Sequence, residues 1–431
     1  MIILLVLGLA TASIFSPEQV HLAWTEDDSK MSVTWAADSP SYGAKVQYTP
    51  VSSHTEKVNQ YLYSANGVWT TFPNMDVPYI LQRQLYVCKA FMTGLVHNQL
   101  YAYRVGSDTY GWTSQYSFQA KRDYTDNPIA RLLIYGDLGV GDQIVPTVSR
   151  LLQETDTYDY DAVIHNGDIA YDLDSDQGER GDIFLRSIEP IASQLPYMVS
   201  QGNHESGPVL PHYINRFQMP GNVNNLYYSF NAGNAHFISY NTELVFNNLN
   251  ETQNLMMEFL NNDLKSLNRT LYPWVVVFGH RPLYCSANWT SSVFLKSVPL
   301  IRNNADCLQN ADYLRSIFED LWYNNSVDLV ITGHVHAYER LANVYQNFSV
   351  PCEDQTTNYC KGAKAPVYIV TGVPGQDDSY SPVSPTPLPF SIKQDDHLSY
   401  SRLTIYNTTH MLFEQVLSES GQIIDSLLLV K

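Results

Sequence analysis

The residues best suited to chemistry in this chain follow short apolar segments that each lead to a glycine. Residues 162–164 predict a buried strand, and Gly167 and Asp168 follow it, so a carboxylate stands just beyond the strand. Four more apolar runs precede a glycine and then an oxygen or imidazole side chain. Because binding sites of α/β folds form beyond strand ends, we expect these side chains to converge. Such donors, gathered from five strands, predict a metal-binding cage.

The candidate ligands combine carboxylates, an amide, imidazoles and a phenol. They are Asp137, Asp168, Tyr171, Asn203, His280, His334 and His336. Two metal ions about 3.5–4 Å apart need a bridging carboxylate, and Asp168 is the candidate for it. His334 and His336 would point to opposite sides of an extended strand, so we expect a turn there, with Gly333 permitting it.

Two regions must position these side chains, because 431 residues exceed what one compact core accommodates. Residues 17–122 form short alternating runs rich in β-formers, which predicts an all-β sandwich. In this region Leu95 followed by Tyr101 and Tyr103 is like the tyrosine-corner strand of fibronectin-type sandwiches. A polar linker leads to residues 128–431, where strands alternate with helices and a β region, residues 365–431, ends the domain.

Apolar periodicity predicts the main helices of this second region. They cover residues 144–154, 182–192, 252–267 and 312–323. An antiparallel hairpin is expected over residues 227–230 and 236–240.

The acidic composition excludes one class of partner. The formal net charge is −18 and the sequence pI is about 4.9. A nucleic-acid partner would need a basic face, so none is expected.

The start of the chain predicts entry into the secretory route. Residues 1–9 are apolar and lead to Ala10-Thr11-Ala12, which predicts a signal peptide over residues 1–12; the alternative is a buried first strand. The run is too short to span a membrane, and no later stretch suits an anchor. Secretion or delivery to a lysosome or vacuole is therefore expected. Glycosylation sequons begin at Asn250, Asn268, Asn288, Asn324, Asn347 and Asn407.

Five cysteines are an odd number, which leaves one unpaired if the others form disulfides. Cys352 and Cys360 flank a short polar loop and are one candidate pair, while Cys285 and Cys307 bracket an insertion and are the second. Cys88 is then a buried thiol on a strand.

Taken together, the five segments resemble the metallophosphoesterases and, within them, the purple acid phosphatases. The motifs are Asp137-x-Gly139, Gly167-Asp168-x-x-Tyr171, Gly202-Asn203-His204-Glu205, Val277-x-x-His280 and Gly333-His334-x-His336. The tyrosine separates this subgroup from phosphodiesterases and protein phosphatases. The resemblance implies two mixed sheets flanked by helices, preceded by a fibronectin-III-like sandwich. Residues 16–23 and 280–286 look most like the animal and protist branch of the large form.

The resemblance also implies two metal ions. Fe(III) would be held by Asp137, Asp168, Tyr171 and His336, and a second ion by Asp168, Asn203, His280 and His334. A phenol has a pKa of about 10, so a phenolate at acid pH requires a hard, highly charged partner such as ferric iron. An amide and two imidazoles suit a divalent ion, which is iron, zinc or manganese.

The expected reaction is hydrolysis of phosphate monoesters to an alcohol and inorganic phosphate at acid pH. In this hypothesis hydroxide held by the iron attacks phosphorus, with Asp168 between the metals. Asn203 and His204 would bind the substrate, and His204 would donate a hydrogen bond or a proton; the alternative is a structural histidine. The histidines that plant-type members carry after the fourth motif are missing here. Tyr284 or solvent is then the candidate proton donor.

Two other functions stay open at this stage. A phosphodiesterase or pyrophosphate hydrolase would use the same scaffold, since the pocket walls decide the leaving group. A secreted binding protein that retains a relic cage is the non-enzymatic alternative. Oligomeric state and physiological substrate do not follow from the sequence.

Overall fold

Alternating apolar residues build the N-terminal region of this computed structural model into two facing sheets. The structure describes residues 17–37, 39–40, 43–73, 83–157, 159–221, 223–247, 249–286, 306–376 and 381–431. The predicted signal peptide and Asn288 lie outside these residues. The N-terminal strands are β1 (Glu18–Trp24), β2 (Met31–Ala37), β3 (Lys45–Val51), β4 (Tyr63–Asn66), β5 (Val68–Pro73), β6 (Gln84–Met92), β7 (Leu100–Ser107), β8 (Gly111–Trp112) and β9 (Tyr116–Gln119).

The described N-terminal strands pair as β1-β2-β6-β5 and as β4-β3-β7-β8, with β9 also on β7. The hydroxyl group of Tyr101 accepts a hydrogen bond from the Val96 backbone N–H at 3.1 Å, which is the contact that defines a tyrosine corner. Strands β4, β5 and β8 were not predicted. Their exposed residues, such as Tyr63 and Val68, carry no regular apolar alternation.

Strand–helix alternation builds the second region. Its helices are α1 (Val145–Thr157), α2 (Glu179–Ala192), α3 (Leu210–Arg216), α4 (Glu243–Phe246), α5 (Asn250–Ser266) and α6 (Ala311–Asn324). Its strands are β10 (Ala130–Tyr135), β11 (Ala162–His165), β12 (Tyr197–Val199), β13 (Tyr228–Ala232), β14 (Ala235–Ser239), β15 (Trp274–Phe278), β16 (Leu329–Thr332), β17 (Tyr338–Tyr345), β18 (Phe348–Ser349), β19 (Asp354–Thr356), β20 (Tyr359–Lys361), β21 (Val367–Thr371), β22 (Ser391–Asp395), β23 (Ser399–Ile405), β24 (His410–Leu417) and β25 (Ile423–Val430).

These strands form two mixed sheets that pack face to face. The described strands of the first follow the order β12-β11-β10-β23-β24-β25-β20-β19, and those of the second β13-β14-β15-β16-β21-β17-β18, with β22 on β17. Strands β10, β11 and β12 run parallel, as do β14, β15, β16 and β21. The hairpin of β13 and β14 is antiparallel, as predicted. The expected fold class is confirmed.

The apolar run of β15 shows why its sequence is continuously hydrophobic. Neighbouring residues of a strand point to opposite faces. Val276 and Phe278 belong to the core shared with the first sheet, whereas Val275 and Val277 pack with buried residues of α5 and α6. Both faces are covered, so no polar residue interrupts the strand. This arrangement leaves the strand end as the place where the chain reaches a site.

Buried polar contacts join the N-terminal sandwich to the second region. Leu22 of β1 forms a parallel bridge with Pro196, and the Tyr103 hydroxyl donates to the Ser193 carbonyl at 2.6 Å. Deeper in the interface, Arg216 of the second region pairs with the buried Asp182 carboxylate at 2.7 Å and donates to Gln19 Oε1 of the sandwich at 3.2 Å. One apolar core runs through both regions.

His212 makes the stability of this interface depend on pH. Burial and the nearby Arg216 charge lower the pKa of His212 from 6.5 to about 3. The unfolded chain therefore binds a proton below pH 6.5 that the folded chain binds only near pH 3, so stability falls as the pH is lowered through this window. We expect a loss of about 2 kcal/mol between pH 7 and pH 5 that His212→Gln removes, as measured by urea unfolding at both pH values. An unchanged difference in the variant would contradict this assignment.

Two disulfides join the predicted cysteine pairs, Cys285 with Cys307 and Cys352 with Cys360, and Cys88 is free and buried. The sequon asparagines of the described residues are accessible: Asn250, Asn268, Asn324 and Asn347 are exposed and Asn407 is partly exposed. Glycosylation stays a prediction. Among the described residues, no helix has the length and apolar character needed to cross a membrane.

Candidate metal centre

The seven candidate ligands come from segments that follow five parallel strands. Asp137 follows β10, the loop with Asp168 and Tyr171 follows β11, and Asn203 follows β12. The other sheet contributes His280 after β15, and His334 and His336 after β16. The centre therefore lies where the carboxyl ends of the two packed sheets meet, as expected for a site in such a fold.

The backbone turns sharply at the ligands themselves. Asp137, Asp168, Tyr171 and His334 have φ angles of 64°, 52°, 49° and 68°, in the left-handed region that residues with a Cβ seldom adopt. Each such residue costs about 1–3 kcal/mol and persists only where surrounding contacts hold it, which is common at functional sites. These turns aim the side chains away from the strands and toward one another.

Gly333 has a different role from the one that the sequence suggested. It is His334, at φ 68°, that makes the turn between the two histidines. A Cβ on Gly333 would lie 2.3 Å from the Asp137 Oδ2 atom, so glycine is needed for close approach of that carboxylate. The same Oδ2 accepts a hydrogen bond from the His334 N–H at 2.7 Å. The expected turn is present, but the prediction that Gly333 permits it was wrong, because the left-handed residue is His334 and Gly333 admits the Asp137 carboxylate.

Gly333→Ala is expected to displace the Asp137 carboxylate, because the added methyl group overlaps it. We expect iron affinity to fall roughly 10–100-fold, the range found when the surroundings of a metal ligand are disturbed. Gly94→Ala is the control for iron content: a Cβ there has no neighbour within 4 Å, and its φ of 70° makes alanine strained without involving the centre. Iron per chain and melting temperature are measured for both. Full iron content in Gly333→Ala would contradict the prediction.

The first donor set contains Asp137, Tyr171 and His336. The Tyr171 hydroxyl oxygen lies 2.8 Å from His336 Nε2 and 3.3 Å from Asp137 Oδ1. His336 Nε2 is 3.4 Å from the same carboxylate oxygen. The three side chains are buried. They present one carboxylate, one phenol and one imidazole to a common point.

The second donor set surrounds His280 Nε2. Asn203 Oδ1 lies 3.0 Å from that nitrogen, Asp168 Oδ2 3.1 Å and His334 Nδ1 3.2 Å. The other ring nitrogen, His280 Nδ1, is 2.9 Å from the Asn166 carbonyl oxygen, which fixes the ring and leaves Nε2 facing the donors. This set is one carboxylate, one amide and two imidazoles.

The spacing within both sets fits metal coordination. Two atoms that each lie about 2.0–2.2 Å from one ion, at right angles, are separated by about 2.8–3.1 Å. The distances within the sets are 2.8, 3.0, 3.1, 3.2, 3.3 and 3.4 Å. The donor chemistry also divides as expected, since the phenol stands in one set and the neutral amide in the other. The residues present therefore fit two adjacent metal ions.

The electrostatics favour an ionised Asp168. Burial alone would raise its pKa, but the neighbouring His280 imidazole prevails and holds the pKa of Asp168 well below its usual range. Burial would lower the pKa of His280, yet the Asp168 carboxylate raises it to about 9. A ligand imidazole must be neutral, so a metal ion in the second set would displace that proton.

Glu205 is a site residue that was not singled out as functional. Its side chain is fully buried, and its oxygens accept backbone N–H groups from Asp168, Ile169 and Gly202 at 2.9, 2.7 and 2.9 Å. Burial and then the Asp168 charge raise the pKa of Glu205 to about 8. These three N–H groups come from the Asp168 turn and from Gly202 beside it, so Glu205 holds the strained Asp168 loop in place.

His204 lies beside both donor sets and is partly exposed. Its Nε2 is 4.0 Å from Asp168 Oδ2, and its ring centre is 4.7 Å from that of Tyr171. Its Nδ1 is 2.7 Å from Asp172 Oδ1, a contact that orients Nε2 toward the centre. Asp172 gave no signal in the sequence beyond its acidic surroundings.

Tyr284 does not reach the centre. Its side chain is buried among Tyr368 and Phe390, and its hydroxyl donates to the Glu319 carboxylate and accepts from the Asn347 N–H at 3.1 Å. The prediction that Tyr284 is a candidate proton donor was therefore wrong. The residue of this segment that reaches the centre is Arg281, which follows His280 and whose Nη1 is 3.0 Å from His334 Nε2.

Three family descriptions match the chain in order. "Purple acid Phosphatase, N-terminal domain" matches residues 17–120, "Calcineurin-like phosphoesterase" matches residues 130–338, and "Iron/zinc purple acid phosphatase-like protein C" matches residues 365–426.

Individual proteins resemble the chain over most of its length. Human acid phosphatase type 7 is 35% identical over 435 residues, which cover 96% of this chain and 91% of that protein. Purple acid phosphatase 18 of Arabidopsis thaliana is 28% identical over 408 residues, which cover 92% and 80%. Purple acid phosphatase PPD1 from yellow lupin seeds shares the fold, with a TM-score of 0.79 at 24% identity over 96% of this chain and 74% of that one.

Proposed function

The chain belongs to the purple acid phosphatase family, and on that premise we propose that it hydrolyses phosphate monoesters to an alcohol and inorganic phosphate at a binuclear metal centre. The observation that carries the proposal is the meeting of two donor sets of different chemistry at the ends of two packed sheets. An acid optimum is expected, as the name of the human relative indicates for that protein.

Iron and a second divalent ion are the metals that membership of this family implies. We assign iron to Asp137, Tyr171 and His336, and the divalent ion to Asn203, His280 and His334. Asp168 would be shared between the two ions. Its Oδ2 atom faces the second donor set, and the turn that it makes is in the same loop as the turn of Tyr171, a member of the first donor set. When bound, the metal pair supplies Lewis acidity, lowers the pKa of water and neutralises phosphoryl charge.

The chain's own side chains orient the substrate. The Asn203 amide oxygen belongs to the second donor set, which leaves the NH2 group of the same amide to donate to a phosphoryl oxygen. His204 Nε2 faces the centre and is the donor best placed to hydrogen-bond the ester or to protonate the leaving alcohol. The Asp172 carboxylate accepts from Nδ1–H, so Nε2 carries a proton to donate only when the imidazole is protonated, which suits acid pH.

His204→Ala is expected to lower kcat/KM for a monoester roughly 10²-fold at acid pH, the scale of a lost acid or hydrogen-bond donor in a phosphoryl-transfer site. Metal content should stay unchanged, because His204 belongs to neither donor set. His397→Ala is the control, since that histidine is exposed and contacts Asp395 and Asp396. A pH–rate profile of His204→Ala that overlays the parent profile would remove His204 from the mechanism.

A substrate panel tests the reaction type. The purified protein is given an aryl phosphate monoester, the matched diester and pyrophosphate at equal concentration across acid pH. We expect kcat/KM for the monoester to exceed the others. Preference for the diester or pyrophosphate would assign the other reaction to this scaffold, and no hydrolysis by metal-loaded protein would favour a binding role.

We also propose that the protein enters the secretory route. Disulfides persist in oxidising compartments. The two disulfides of this protein are therefore compatible with a secreted or lysosomal location. We expect the mature protein to lack residues 1–12 and to carry N-linked glycans at exposed sequons.

A further inference from the structure

Asp306 lies beside His334, on the side of the imidazole that faces away from the second donor set. His334 Nδ1 is 3.2 Å from His280 Nε2, inside that set. His334 Nε2 is 3.3 Å from Asp306 Oδ1. The imidazole therefore stands between the donor set and a carboxylate that none of the sequence motifs contains.

We propose that Asp306 is a positioning residue that selects the metal-binding tautomer of His334, an inference that rests on the proposed binuclear centre. A metal ion in the second set needs the lone pair of Nδ1, so the proton must stay on Nε2. A carboxylate that accepts the Nε2 proton fixes this tautomer, orients the ring and raises its basicity as a ligand.

Arg281 makes the choice of tautomer critical. Its Nη1 is 3.0 Å from the same His334 Nε2, and a guanidinium can only donate. Acting alone, Arg281 would favour an Nε2 lone pair and place the proton on Nδ1, where it would block the metal. Asp306 opposes this, because its Oδ1 accepts from Arg281 Nη1 at 3.1 Å and also faces His334 Nε2. The Glu243 carboxylate holds Arg281 Nε at 2.8 Å.

A disulfide and a small apolar cluster hold Asp306 in place. The next residue, Cys307, is bonded to Cys285. Both cysteines pack against Val335, Ala337 and Val370, so the disulfide rests on the segment that carries the two ligand histidines. The Asn310 side chain donates to Asp306 Oδ1 at 2.7 Å. The carboxylate is therefore fixed relative to His334 by covalent and apolar contacts.

Zinc titration of the Asp306→Asn variant tests the proposal. The protein is loaded with ferric iron, stripped of its divalent ion and titrated with Zn²⁺ against a chelator. We expect the dissociation constant for Zn²⁺ to rise about 10–100-fold, as for other lost carboxylate partners of ligand histidines. The ferric absorption band and the melting temperature should match the parent, because the first donor set is untouched. Asp312→Asn is the control, since that exposed carboxylate pairs with Arg315.

Two outcomes overturn the proposal. One is a Zn²⁺ affinity of Asp306→Asn equal to that of Asp312→Asn. The other is loss of the ferric band together with a lowered melting temperature, which would make Asp306 a general structural residue. The double variant Cys285→Ala and Cys307→Ala is expected to weaken Zn²⁺ binding in the same direction, and unchanged affinity would exclude the disulfide as the tether. A parent protein that binds neither metal would instead refute the proposed function.

Discussion

Asp168→Asn is expected to lower kcat for phosphate monoesters by a factor on the order of 10³ or more and to reduce the content of both metals. Asp168 is the carboxylate assigned to both ions, and removing its charge removes the anion that holds them together. Metal ions contribute several kcal/mol to stabilising phosphoryl charge, and each 1.4 kcal/mol lost costs about tenfold in rate. Metal analysis and initial rates at acid pH measure the effect.

The asparagine variant should stay folded, which separates the chemical effect from unfolding. An amide oxygen can still accept the His204 backbone N–H that Asp168 Oδ1 now accepts at 3.0 Å. Asp142→Asn is the matched control, because Asp142 is exposed and lies five residues beyond Asp137. A folded Asp168→Asn protein with both metals bound and parental kcat would show that Asp168 is not the shared ligand.

Glu205→Ala is expected to destabilise the folded protein by about 3–5 kcal/mol. The substitution leaves three buried backbone N–H groups without an acceptor, those of Asp168, Ile169 and Gly202. It also releases a loop whose left-handed residues need such contacts to persist. Chemical denaturation of the apo protein measures the loss, and metal affinity should fall with it.

Glu205→Gln is the matched comparison for this prediction. Glutamine keeps one acceptor oxygen, which can accept the Asp168 and Gly202 N–H groups that Oε2 accepts in the parent, and it loses only the acceptor for the Ile169 N–H. We expect the glutamine variant to lose much less stability than the alanine variant. Equal losses in the two variants would mean that the three N–H bonds contribute little and that packing explains the effect.

Much of the scaffold was predictable because local sequence and tertiary environment agree. The run of β15 is apolar throughout since both of its faces are covered, and it ends where the chain reaches His280. The hairpin expected over residues 227–230 and 236–240 forms from the strands Tyr228–Ala232 and Ala235–Ser239. Helix bounds moved by a few residues, as at α2, which begins at Glu179 and not at residue 182.

The backbone geometry at the centre was not predictable from local preference. Asp137 and His334 carry a Cβ and yet adopt left-handed conformations. The contact that holds them, from the His334 N–H to Asp137 Oδ2, joins residues 197 positions apart. Sequence reasoning instead assigned the turn to Gly333, the residue with the freest backbone. Local propensity could not reveal that the glycine is there to admit a carboxylate.

The supporting residues were missed for a related reason. Asp172 and Arg281 reach the centre from irregular segments. Asp306 begins a short helical turn, Asp306–Asn310, and depends on the Cys285–Cys307 disulfide for its place. The cysteine pair itself was predicted from its position around an insertion. Its proximity to His334 becomes visible only when the two sheets are assembled.

The most direct test of the binuclear centre is the visible absorption spectrum of the protein purified from cells grown with ample iron, recorded beside that of Tyr171→Phe and paired with metal analysis. We predict one iron and one further divalent ion per chain, a visible phenolate-to-iron absorption band, and loss of that band in Tyr171→Phe. A folded, pure parent protein that contains no iron and stays colourless would contradict the account, as would a band that survives in Tyr171→Phe.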